Sequence, residues 1–128
     1  MPLPDPSELR LLVVEDESLI ALELEDLLTE LGHRVVEVCG TVPRALALVD
    51  RHAGELDAAI LDANLGGTSA TAIARQLEAR QIPFVIASGY TADELRGLGL
   101  EGPRIGKPYR KQEIASALAE LKPSPSPR

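Results

Sequence analysis

Apolar residues in this chain fall into two alternating patterns, short unbroken runs and longer segments spaced by three and four. The run Arg10 to Val14 (RLLVV) is nearly continuous, as a strand covered on both faces of a parallel sheet requires. From Ser18 to Leu31 the residues Ile20, Leu24, Leu27 and Leu31 form one helical stripe, and Gly32 supplies a left-handed stop. Residues 34–38 (RVVEV) are β-branched and predict a second strand. A second helix follows from Val42 to His52, with Thr41 as its cap and Pro43 tolerated in its first turn. The third unit pairs a strand from Asp57 to Leu61 with a helix from Thr68 to Arg80, across the loop DANLGG. Pro83 to Ala87 (PFVIA) predicts a fourth strand, and the stretch ADELRGL after it a short helix weakened by Gly97, Gly99 and Gly102. A short fifth strand is expected at 104–106, and a last helix from Arg110 to Leu121 on Ile114, Leu118 and Leu121.

Five strand–helix repeats predict an α/β domain, a doubly wound five-stranded parallel sheet with helices on both faces. The expected domain covers residues 8–122. The proline-rich opening (1–7) and the Pro-Ser alternation at 123–128 are expected to be flexible tails. A length of 128 residues suits one domain, and 45% hydrophobic residues suffice for a core. With two Tyr, one Phe and no Trp, that core must be aliphatic. A net charge of −7 repels a phosphate backbone and argues against nucleic-acid binding. One cysteine, Cys39, excludes an internal disulfide, and no apolar stretch has membrane-spanning length. These features predict a cytoplasmic protein with no membrane partner.

In doubly wound sheets, ligands sit beyond the carboxyl ends of the strands, where the strand order reverses. The residues standing there are Glu15, Asp16 and Glu17 after the first strand, Asp62 and then Asn64 after the third, Ser88 after the fourth, and Lys107-Pro108 after the fifth. Clustered carboxylates are costly to hold without a cation, and hard oxygen donors favour Mg2+ or Mn2+. A carboxylate beside such a cation can attack phosphorus, with Lys107 and the Ser88 hydroxyl stabilising the phosphoryl oxygens. Each residue also has an ordinary reading. Asp62 can cap a loop, the acids at 15–17 can favour a helix N-terminus, Ser88-Gly89 is turn chemistry, and Lys107 can be a solvated charge. GPRIGKP is too short between glycines for a P-loop, and NLGGTSA lacks the dinucleotide fingerprint.

Taken in order, VVEDE, LDANLGG, Ser88 and Lys107-Pro108 resemble the receiver domains of bacterial response regulators, over nearly everything between the tails. The resemblance implies the flavodoxin-like receiver fold with strand order 2-1-3-4-5. It implies Asp62 as phosphoacceptor, and Mg2+ held by Glu15, Asp16, Asp62 and the backbone carbonyl of Asn64. Glu15 departs from the commoner Asp by one methylene. Arg104 stands where receivers usually carry a switching Tyr or Phe. PFVIASGY is similar to the Phe-Ala-Thr-Gly-Tyr signature of an alphaproteobacterial subfamily, often single domains paired with sensor histidine kinases of the HWE or related class. The implied function is phosphoryl transfer from such a kinase onto Asp62, with signalling through a downstream protein partner or service as a phosphate sink. The protein would then catalyse its own phosphorylation and dephosphorylation without turning over an external substrate, as a monomer or a phosphorylation-dependent dimer. Rival readings are a constitutive interaction module and an aspartyl phosphohydrolase, the latter disfavoured by Asn64 in place of a second acid. Arg104 is read as solvent-facing and Tyr90 as a candidate mobile reporter. His33 and His52 are read as surface residues and Cys39 as a packing residue.

Overall fold

The computed structural model describes residues 8–88, 96, 97, 99, 100, 102–106 and 109–121. Its elements are β1 (Arg10–Val14), α1 (Ser18–Glu30), β2 (Arg34–Cys39), α2 (Val42–His52), β3 (Ala58–Asp62), β4 (Asn64–Leu65), β5 (Thr68–Ser69), α3 (Thr71–Ala79), β6 (Phe84–Ala87), β7 (Arg104–Ile105) and α4 (Lys111–Glu120). Of the helix expected over 92–98, only residues 96 and 97 are described, and both are helical; the rest of it and both tails lie outside the described residues.

Five strands form one parallel sheet in the order β2-β1-β3-β6-β7. Apart from the small β4–β5 pair, this is the expected order 2-1-3-4-5. Alternation along each strand splits the core in two. Leu12, Val14, Ala59, Leu61, Phe84 and Ile86 point to the face covered by α2 and α3. Leu11, Val13, Ala58, Ile60, Val85 and Ala87 point to the other, covered by α1 and α4. The unbroken apolar runs are thus the signature of two-sided burial, and Leu11 to Val14 are all 1% exposed or less.

Helix ends follow the local chemistry. The Thr41 hydroxyl accepts the Arg44 N–H at 3.4 Å, with Pro43 in the first turn of α2. Gly32, at φ 90°, ends α1: its N–H donates to the Thr29 carbonyl, and the His33 N–H donates to Leu28. The same pair of bonds ends α3, from Gln81 to Glu78 and Ile82 to Leu77, although Gln81 at φ 60° is not glycine.

The structure departs from expectation at four places. Helix α3 begins at Thr71 rather than Thr68, because Gly66 (φ 60°) and Gly67 (φ 89°) close a two-residue hairpin turn. This turn pairs Asn64 with Ser69 and Leu65 with Thr68. Strand β3 starts after Asp57 and runs through Asp62, which pairs with Ala87 of β6. The α1 stripe is rotated: its fully buried members are Ala21, Leu24 and Leu28, with Ile20, Leu27 and Leu31 at the margin. His33 and His52 are half-buried rather than surface residues: His33 Nδ1 accepts the Leu9 N–H at 3.1 Å, and His52 Nδ1 lies 3.2 Å from Glu55 Oε2.

Candidate functional site

The order β2-β1-β3 places the reversal of the sheet between β1 and β3, and both strands end there in acid. Parallel pairing of Val14 with Leu61 sets Glu15 and Asp16 beside Asp62. One carboxylate oxygen from each of Glu15, Asp16 and Asp62 lies within 4.8 Å of the others. Glu15 and Asp62 are 3% and 4% exposed, whereas Asp16 faces solvent. The trio is therefore open on one side only.

Each acid is held from beneath. Asp62 ends a fully buried strand, and the Ala63 N–H donates to the Ala87 carbonyl at 3.1 Å, so the ladder continues past the carboxylate. The Asn64 N–H donates to Asp62 Oδ1 at 3.1 Å. Asn64 itself is exposed, and its Oδ1 accepts the Gly67 N–H at 2.7 Å, which ties off the hairpin. The Glu15 N–H donates to the Cys39 carbonyl at 2.8 Å, and Glu15 Oε2 accepts the Glu17 N–H at 3.1 Å. Gly40 passes so close that an added Cβ would stand 3.1 Å from Asp16 Cα, and one on Gly66 would stand 3.7 Å from Asp16 Oδ2. Gly40 thus makes room for Asp16, whereas the Gly66 distance is ordinary van der Waals contact.

Ser88 is 3% exposed and follows Ala87, the strand partner of Asp62; its N–H donates to the Ile105 carbonyl at 3.0 Å. It stands at the same sheet edge as the acids. Lys107 and Pro108 lie outside the described residues, as does Tyr90. Arg104 is exposed on β7, as expected of a solvent-facing strand residue. Cys39 is buried, and that burial pushes its thiol up to about 11, as befits packing rather than chemistry.

Sequence reasoning passed over Tyr109. Its ring is buried in the core beneath α1 and α4, and its hydroxyl donates to Glu15 Oε1 at 3.0 Å. Burial and the neighbouring Glu15 carboxylate push the phenol far above its usual range, so it remains a donor. The available signal was composition: in a chain with two tyrosines, a buried one needs a partner for its hydroxyl.

Three oxygen donors at one sheet edge suit a hard divalent cation, and among the described residues no soft or nitrogen ligand shares the cluster. Fold and site together define an α/β domain with a metal-capable acid cluster at the switch point of its sheet. The response regulator receiver domain matches residues 11–119. The receiver-sized protein SdrG from Sphingomonas melonis Fr1 is 43% identical, superposes with a TM-score of 0.78, and covers 91% of this chain and 98% of its own. The transcriptional regulatory protein TcrA of Mycobacterium tuberculosis is 33% identical over 95% of this chain and 49% of its own length. The phyllosphere-induced regulator PhyR of Methylorubrum extorquens is 28% identical over 86% of this chain and 42% of its own. The chain thus spans about half the length of the curated relatives it matches. It belongs to the receiver domains of response regulators, the phosphoacceptor components of two-component systems. No described helix is long and apolar enough to cross a membrane.

Proposed function

We propose that Asp62 is the phosphoacceptor, with Mg2+ held by Glu15, Asp16, Asp62 and the Asn64 backbone, and with Ser88 and Lys107 facing the phosphoryl oxygens. The observation that carries this reading is the convergence of Glu15, Asp16 and Asp62 at the β1–β3 reversal. A bound cation would offset repulsion between the nucleophile and the phosphoryl group. Asp62 forms the new P–O bond as the P–N bond of a phosphohistidine breaks, and the imidazole, already protonated on its other ring nitrogen, leaves neutral with the bonding pair. Asp62 is suited to this by position: it is fixed at the end of a buried strand, so little orientation is lost on reaction. The Ser88 hydroxyl can donate to an equatorial oxygen, and Lys107, which follows the last strand in the sequence, would supply a positive charge. The receiver unit is assigned to residues 8–122.

The donor is a sensor histidine kinase. The likeness of PFVIASGY to the Phe-Ala-Thr-Gly-Tyr signature supports the HWE or a related class. A kinase must touch the surface bordering the acids, and α1 begins two residues after Asp16 with Leu19 82% and Leu22 54% exposed. Exposed leucines on one helix face suit docking against another helix. Leu19→Asp should therefore slow transfer from the phosphorylated kinase while labelling by acetyl phosphate persists. Onward signalling runs through a protein partner or through draining phosphoryl groups from the kinase.

The defining experiment is incubation with acetyl phosphate and Mg2+ followed by intact mass measurement. One added phosphoryl group is expected, removed by Asp62→Asn; equal labelling of that variant would sink the assignment.

A further inference from the structure

We propose that Tyr109 is the positioning residue for the metal site: through Glu15 it sets cation affinity, and it links that site to the start of α4. This rests on the assignment of Glu15 as a metal-binding residue. Two hydrogen bonds hold the carboxylate from opposite sides, the Glu17 N–H on Oε2 at 3.1 Å and the Tyr109 hydroxyl on Oε1 at 3.0 Å. Glu15 is 3% exposed, so its orientation is set by protein contacts, these two among them, and not by bulk water.

The methylene that Glu adds over Asp has a structural use here, since it carries the carboxylate toward a hydroxyl seated in the hydrophobic core. Tyr109 packs among Leu11, Val13, Ala87, Ile105 and Ile114, so its ring has little freedom to follow the carboxylate. It also sits two residues before Lys111, where α4 begins. Any redistribution of Glu15 charge toward a cation weakens the pull on the Tyr109 hydroxyl. The residue that senses this is joined directly to α4.

The protein has two tyrosines and no tryptophan, so a Tyr90→Phe background leaves Tyr109 as the only near-ultraviolet reporter apart from phenylalanine. Mg2+ added to that protein should shift the tyrosine absorption and emission, saturating at the concentration given by calorimetry. Adding Glu15→Gln should abolish the shift. Separately, Tyr109→Phe should weaken Mg2+ binding about ten-fold, as loss of a partner that orients a ligand does. That loss should nearly vanish when Tyr109→Phe is placed on Glu15→Gln, because the effect passes through Glu15. A tyrosine serving only as packing would lower stability in both backgrounds without this dependence. Unchanged affinity in Tyr109→Phe, or equal losses with and without Glu15, overturns the inference and leaves the phosphoacceptor reading standing. Absence of Mg2+ binding to the unsubstituted protein overturns both.

Discussion

Two aspartates bracket strand β3, and their surroundings are opposite. Asp57, at the amino edge of the sheet, is matched to a base: its Oδ2 accepts the Arg10 backbone N–H at 2.7 Å and Nε at 3.1 Å. Burial raises the Asp57 carboxyl, but the Arg10 hydrogen bonds and charge outweigh it and hold the group below its ordinary 3.8. Asp62, at the carboxyl edge, is gathered with two further acids. The same division runs through the loops. Those at the amino edge carry helix stops, Gly32 and Gln81, and the acid–base tie between β1 and β3. Those at the carboxyl edge carry the cluster and Gly40, which makes room for it. One edge is built to hold the fold and the other to hold something else. A parallel sheet allows this because every strand starts on one side and ends on the other.

The sharpest way to break that contrast is the same substitution at both ends. Asp62→Asn should abolish phosphoryl labelling, while Asp57→Asn should label at the rate of the unsubstituted protein in the same mass assay. Gly40→Ala comes next. Its Cβ would press on the backbone of Asp16 and Glu15, so overpacking should cost about 1–3 kcal/mol in urea unfolding. Because the displaced backbone is that of the acids, Mg2+ affinity measured by calorimetry should fall as well. A smaller effect of opposite sign is expected at the amino edge. Gln81→Gly relieves a left-handed conformation and should stabilise by about 1 kcal/mol without altering labelling. The smallest is the stability change in Asp57→Asn. The pair is partly solvated, with side chains 45% and 33% exposed, so about 0.5 kcal/mol is expected near neutral pH. The folded-state value of Asp57 is depressed, so its contribution is complete above the ordinary 3.8 and is lost as pH falls through the folded value. The gap between the two proteins in urea titrations should close at that acid end.

The amino-acid pattern disclosed the sheet and most of the site for one reason. Two-sided burial writes unbroken apolar runs, and the strand order then decides which residues meet. Glu15, Asp16 and Asp62 were legible as strand-end acids, and Ser88 as a strand-end hydroxyl, whose burial only the structure shows. The β4–β5 hairpin was less so, because NLGGTS sits beside a strong helical pattern whose periodicity extends back to Thr68. Gly66-Gly67 was the overlooked turn signal. Tyr109 was hidden for a different cause. Its partner Glu15 is 94 residues away along the chain, and no local spacing announces such a pair.

The parallel ladder between β1 and β3 also governs the order of events during folding. No short hairpin can bring Glu15 near Asp62. Leu11 must wait for Ala58, and Val14 for Leu61, before the acids are neighbours. Half-made chains therefore carry scattered carboxylates with ordinary affinity for ions, and the cluster arises only with the sheet. Whatever then settles among the three acids binds the finished structure alone, and its concentration becomes one of the quantities that set how long the protein stays folded.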